Sequence, residues 1–120
     1  MRILVIDDDD LARANIQQAL TVRGHEVTTA EGRDALTLLS QVAWDLIVVD
    51  VLMPDVDGIE IIQAARRQEP GPRIIAISGG GRISAEQCLN LANAFGADAA
   101  FRKPVDLAAL ARSVVPAAER

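Results

Sequence analysis

The stretch DLIVVDVLMPDVDGIE, residues 45–60, decides how this chain folds. Leu46, Ile47, Val48 and Val49 form an unbroken apolar and mostly β-branched run, the composition of a strand buried on both faces. The run ends in a carboxylate, Asp50, and then in a proline turn carrying Asp55 and Asp57. An ionised carboxylate at the edge of a core is costly unless something pairs with it. Asp50 is therefore either a strand cap in water or a group placed for chemistry.

Short β-branched runs alternate with helical patterns on either side of this stretch. Residues 2–7 (RILVID) read as a first strand and residues 11–23 as a helix ended by Gly24. Residues 25–30 (HEVTTA) form a second, more polar strand suited to a sheet edge, and residues 35–41 a short helix. The third strand covers residues 45–50. Asp57 with Glu60 fits a capping box that opens a helix through Arg67, before Pro70 and Pro72 break it. Residues 73–78 (RIIAIS) are the fourth strand. Ser84 with Gln87 caps a helix to Phe95 stopped by Gly96, residues 99–103 (AAFRK) are the fifth strand, and Asp106 caps a last helix to Val115.

Five β/α units with apolar central strands specify an α/β fold, a parallel sheet covered by helices on both faces. Right-handed crossovers leave few doubly wound orders, of which 2-1-3-4-5, the flavodoxin-like order, suits a polar second strand at one edge. The chain of 120 residues is expected to be a single domain, residues 1–120, with a core of Val, Ile, Leu and Ala, since only 2% of it is aromatic. A net charge of −5 argues against a nucleic-acid surface. No run reaches membrane-span length, and the N-terminal apolar run is too short for a signal peptide. A single cysteine, Cys88, excludes an internal disulfide; the expected setting is cytoplasmic. The triple glycine 79–81 lacks any phosphate-loop spacing or lysine.

In open parallel sheets, ligands bind at the carboxyl ends of the strands, near the point where strand order reverses. Those ends carry Asp7 with Asp8, Asp50, Ser78 and Lys103. Two carboxylates about 4 Å apart repel by roughly 4 kcal/mol at an effective dielectric near 20. Three of them need more positive charge than Lys103 supplies, and a divalent ion would make up the deficit. Hard oxygen ligands without His or Cys suit Mg²⁺. A metal, an ammonium and a hydroxyl are also what a phosphoryl group requires, with an in-line carboxylate as attacking group. Asp50, on the central strand beside the acidic pair, is the candidate nucleophile.

These residues resemble the response-regulator receiver domain of two-component signalling. The likeness covers nearly the whole chain through ILVIDDD, VVDVLMPDVDG, IIAISG and GADAAFRKP. The 2-1-3-4-5 order is also that family's, so fold and family are not independent inferences. The resemblance implies that Asp50 accepts a phosphoryl group from a sensor histidine kinase or a histidine phosphotransfer protein. It implies that Asp7, Asp8, Asp50 and the backbone carbonyl of Leu52 hold Mg²⁺, that Ser78 and Lys103 contact the phosphoryl oxygens, and that Pro104 follows a cis bond. Output would be docking to another protein, since no output or DNA-binding domain follows the last helix; the chain would catalyse only its own phosphorylation and dephosphorylation. Two departures stand out. The aromatic switch position, three before the lysine, is Ala100, and Phe101 should point to the opposite face. Leu52 is apolar and Gly80 bare at positions that tune the phosphoryl lifetime.

Other residues have plainer readings. Asp9 and Asp10 suit a solvated helix start, Asp55 a solvated turn, Asp57 an N-cap and Gly58 a turn or first-turn position. His25 sits at the far end of a strand, and Cys88 belongs to a core stripe with Ala85, Leu89 and Ala92 that Leu91 and Ala94 widen into either a well-covered helix or an exposed patch for a partner. Competing functions are a receiver-like interaction module independent of phosphorylation, left open by Ala100, and an aspartyl-phosphate phosphatase of the haloacid-dehalogenase type. Asp7 and Asp9 mimic the latter's D-x-D, but Leu11 stands where Thr or Val is expected. Flavin binding fits poorly with three acids at the rim.

Overall fold

A computed structural model describes residues 1–53, 57–79 and 84–114. Asp55, Gly80, Gly81 and Val115, singled out above, lie outside them. Strands β1 (Arg2–Ile6), β2 (Glu26–Ala30), β3 (Leu46–Asp50), β4 (Arg73–Ser78) and β5 (Ala99–Arg102) alternate with helices α1 (Asp10–Thr21), α2 (Gly32–Gln41), α3 (Gly58–Arg66), α4 (Ala85–Phe95) and α5 (Leu107–Val114). All strand pairs are parallel, in the order β2-β1-β3-β4-β5.

The period-two side-chain alternation of strands divides the core in two. Leu4, Ile6, Ile47, Val49, Ile74 and Ala76 pack with Ala35 and Leu39 of α2, Ile61, Ile62 and Ala65 of α3, and Cys88 and Ala92 of α4. The intervening Ile3, Val5, Leu46, Val48, Ile75 and Ile77 pack with Ile16 and Leu20 of α1 and Leu110, Ala111 and Val114 of α5. Every residue of β3 is buried, which is why residues 46–49 are continuously apolar before the strand ends in Asp50. The chain's single tryptophan, Trp44, is 7% exposed just before β3 and donates its ring N–H to the Leu38 carbonyl at 3.0 Å.

Helix ends follow local chemistry. Asp9 caps α1 by accepting from the N–H groups of Leu11 and Ala12, and Asp57 caps α3 through Ile59. Ser84 and Gln87 form the reciprocal capping box of α4, whose C-cap Gly96 takes the left-handed conformation (φ 115°). Asp106 accepts from Ala109 at the start of α5. Strands β1 and β5 stop one residue short of Asp7 and Lys103, which leaves both polar residues at the rim. The one large boundary correction is α2, which begins at Gly32 rather than Ala35. Its first turn, Gly-Arg-Asp, is polar and escapes a hydrophobic-period reading. In α4 Cys88 and Ala92 are buried, whereas Leu91 and Ala94 are exposed, so the widened part of that stripe faces solvent.

Candidate phosphoryl site at the sheet rim

The ends of β1, β3, β4 and β5 converge as the strand order requires. Asp7 is fully buried, Asp50 is 6% exposed and Ser78 is fully buried. The Lys103 backbone N–H donates to the Ser78 carbonyl at 2.9 Å, fixing the end of β5 beside β4. Its side chain then crosses to the acids. Lys103 Nζ lies 2.9 Å from Asp7 Oδ2 and 3.0 Å from Asp50 Oδ2. The contact with Asp50 is a hydrogen bond, and that with Asp7 is an ion pair whose geometry falls short of one. The Lys103–Pro104 bond is cis.

Each of the three carboxylates keeps one oxygen on the protein's own backbone. Asp7 Oδ1 accepts from Asp9 N–H at 2.9 Å, Asp8 Oδ1 from Gly32 N–H at 2.8 Å and Asp50 Oδ1 from Leu52 N–H at 3.1 Å. The other oxygens of Asp7 and Asp50 share the ammonium. Asp8 Oδ2 is buried without a hydrogen-bond partner among the described residues. A buried anionic oxygen with no donor calls for a cation.

The electrostatics point the same way. Burial first, and the charge of Asp7 second, push the Asp50 carboxyl up to about 6, against the pull of Lys103 and of the Leu52 N–H. Burial alone would lower Lys103, but the close carboxylates of Asp7 and Asp50 outweigh that and hold the ammonium above its ordinary value. One lysine does not neutralise this rim.

The donor set, carboxylate oxygens without His or Cys, fits Mg²⁺. Among the described residues, however, no three acidic, imidazole or thiol side chains stand in a ready ligand cluster. The structure brings together Asp7, Asp50 and Lys103, and turns one oxygen of Asp8 toward Gly32. Leu52 reaches the rim through its backbone, and the residue is 41% exposed.

Ala100 pairs with Ala76 across β4 and β5. Phe101 packs instead against the cluster on the α1 and α5 side, as do Val105 and Leu107. The face that would carry a switch ring therefore holds a methyl group. His25 lies at the opposite end of the sheet, its Nδ1 3.3 Å from the Met1 amino group.

Two contributors escaped the sequence reading. Arg13 of α1 reaches back to donate to the Asp7 carbonyl at 2.6 Å, tying the acidic loop to its helix. Gly58 packs against the peptide behind the nucleophile candidate: a Cβ there would stand 2.5 Å from Val51 Cα and would also collide with the Asp50 carbonyl. Gly58 itself reads as a turn or first-turn position, but nothing in sequence places that turn against Asp50.

Solved structures similar to this chain include response-regulator receivers. The chemotaxis response regulator CheY4 of Vibrio cholerae matches with a TM-score of 0.81 at 29% identity, over 95% of this chain and 98% of that one. The transcriptional regulatory protein TcrA of Mycobacterium tuberculosis is 33% identical over 108 residues, 89% of this chain and 42% of that protein. AfsQ1 of Streptomyces coelicolor, also a transcriptional regulatory protein, is 43% identical over 74 residues, 61% of this chain and 33% of that protein. The response regulator receiver domain family matches residues 3–115. The chain belongs to that family, the phosphoryl-accepting modules of two-component signalling, whose members generally bind Mg²⁺. It spans less than half the length of these two curated relatives. No helix among the described residues is long and apolar enough to cross a membrane.

Proposed function

We propose that Asp50 is the phosphoacceptor of this receiver, in a Mg²⁺-dependent transfer from a sensor histidine kinase or a histidine phosphotransfer protein. The observation that carries this reading is the shared ammonium: Lys103 Nζ within 3.0 Å of Asp50 and 2.9 Å of Asp7 at the end of the central strand. An oxygen of Asp50 attacks phosphorus in line, the new P–O bond forms as the P–N bond to the donor histidine breaks, and the imidazole leaves with that electron pair. Lys103 follows the charge from the carboxylate to a phosphoryl oxygen, where the Ser78 hydroxyl also donates. Asp7, Asp8, Asp50 and the Leu52 carbonyl would hold the metal, which when bound would supply positive charge to the transferring oxygens. Arg13 and the backbone donors to each acid hold the remaining geometry without reacting.

The chain acts as a cytoplasmic signalling receiver whose phosphorylation switches docking to another protein. A groove of about 440 Å³ runs from Lys103 past Pro104, Val105 and Leu107 to Leu11 and Asn15 of α1. Its apolar rim beside the reacting group suits the phosphodonor protein.

A small phosphodonor such as acetyl phosphate with Mg²⁺ should add one acid-labile, hydroxylamine-sensitive phosphoryl group, detected by intact mass at near-neutral pH. Labelling that survives Asp50→Ala rejects the assignment, as does labelling indifferent to EDTA. The methyl group at Ala100 favours one second reading, a docking module indifferent to phosphorylation. Equal partner affinity with and without beryllofluoride would establish it. Family membership gives no support to the phosphatase alternative.

A further inference from the structure

Helix α2 begins without a cap of its own. Its N-cap residue Glu31 has extended backbone (φ −81°, ψ 161°) and makes no side-chain cap hydrogen bond. The first helical N–H, that of Gly32, is satisfied from 24 residues away by Asp8 Oδ1 at 2.8 Å. The same bond leaves Asp8 Oδ2 buried with no hydrogen-bond partner among the described residues. One carboxylate therefore faces two positive poles, the N-terminal end of the α2 dipole and the place of the cation. A ligand whose second oxygen is held by a fixed donor presents the first in a fixed direction, and losing such a donor typically weakens metal binding by about 10–100-fold.

We infer that the first turn of α2 is a positioning element for Asp8, so that Mg²⁺ affinity and order at the α2 N-terminus are coupled. The inference rests on Asp8 being a metal ligand, as proposed above. Gly32 touches neither metal nor phosphoryl group and acts through Asp8. Coupling is reciprocal: if the Gly32 bond favours the metal, the metal favours the bond by the same factor. The start of a helix on the edge side of the sheet thereby senses occupancy of the rim.

The test is amide hydrogen exchange by NMR on the wild-type chain, with Mg²⁺ binding followed in parallel by calorimetry. Saturating Mg²⁺ should slow exchange at Gly32 severalfold and leave Asn93 in α4 unchanged. Asp8→Ala should speed exchange at Gly32 without metal and abolish the response. Gly32→Pro removes the donor at a position where proline suits the helix, and Glu31 already has the backbone of a residue before proline. It should weaken calorimetric Mg²⁺ affinity about tenfold and shift half-maximal labelling to higher metal more than it lowers the maximal rate. Exchange at Gly32 that ignores Mg²⁺ while calorimetry records binding overturns the coupling alone, and so does Asp8→Ala without effect on that amide. Absence of any calorimetric binding overturns the metal assignment and the coupling with it. Should Gly32→Pro fail to fold, the wild-type exchange measurement decides.

Discussion

Replacing Asp50 by asparagine should stabilise the protein in the absence of metal, even though it destroys the phosphoacceptor. The carboxyl titrates at about 6 instead of the ordinary 3.8, so ionising it is harder in the folded chain than in the unfolded one. About two pKa units correspond to about 3 kcal/mol, which water at the rim screens to about 1–2 kcal/mol. The sign follows from proton counting. Between the two pKa values the folded state binds more protons than the unfolded state, so wild-type stability falls as pH rises from about 4 to about 6. Asparagine mimics the neutral carboxyl and escapes that fall. Urea denaturation in EDTA should therefore show the variant more stable by about 1–2 kcal/mol at pH 7, and nearly equal to wild type at about pH 4. Mg²⁺ should reverse the order by stabilising only the wild type strongly. A variant less stable than wild type at pH 7, or a difference that does not change with pH, refutes the electrostatic account of the rim.

Lys103→Met leaves Asp7 and Asp50 facing each other and should cost about 3 kcal/mol by urea denaturation. Because the Lys103 pKa is raised above 10.5, the wild-type advantage should be complete below that pH and vanish as the folded ammonium deprotonates; an advantage that persists in strong base argues against it. Gly58→Ala drives a methyl group into Val51 and the Asp50 carbonyl; a loss of about 1–3 kcal/mol in thermal denaturation and slower Asp50 labelling are expected, and unchanged labelling would show that the turn does not set the nucleophile. Leu11→Glu, at a position 71% exposed, should leave stability within about 0.5 kcal/mol. It should slow transfer from a cognate phosphodonor protein but not from acetyl phosphate, and equal slowing with both would remove the groove from donor docking. Ser84→Ala should lower stability by about 1 kcal/mol through loss of the α4 capping box, read from the same melts.

The elements most legible in sequence are those whose signals are local. β3 announces itself because both its faces are buried, and α4 because Ser84, Gln87 and Gly96 lie within its own ends. Asp7, Asp50 and Lys103 could be brought together on paper because strand polarity places the carboxyl ends on one rim. The true start of α2 was hidden because its cap comes from Asp8 in another loop, a long-range bond that no local pattern encodes. Arg13 was hidden for a related reason: on a helix it looks like any half-exposed charge, and only the return path to the Asp7 carbonyl distinguishes it. Gly58 acts through the room that it leaves, which a sequence does not display.

Trp44 sets what fluorescence can report on this chain. The indole sits just before β3 and Asp50 at its far end, roughly 15–20 Å away at 3.3 Å per strand residue. A buried indole bonded to Leu38 loses both its apolar surroundings and its carbonyl partner on unfolding, so its emission is a clean optical gauge of denaturation. At that separation the fluorophore is a poor gauge of ions or phosphate, and a silent titration does not mean an empty rim. Quenching assays for ligand loading on this chain call for a new tryptophan beside Asp50.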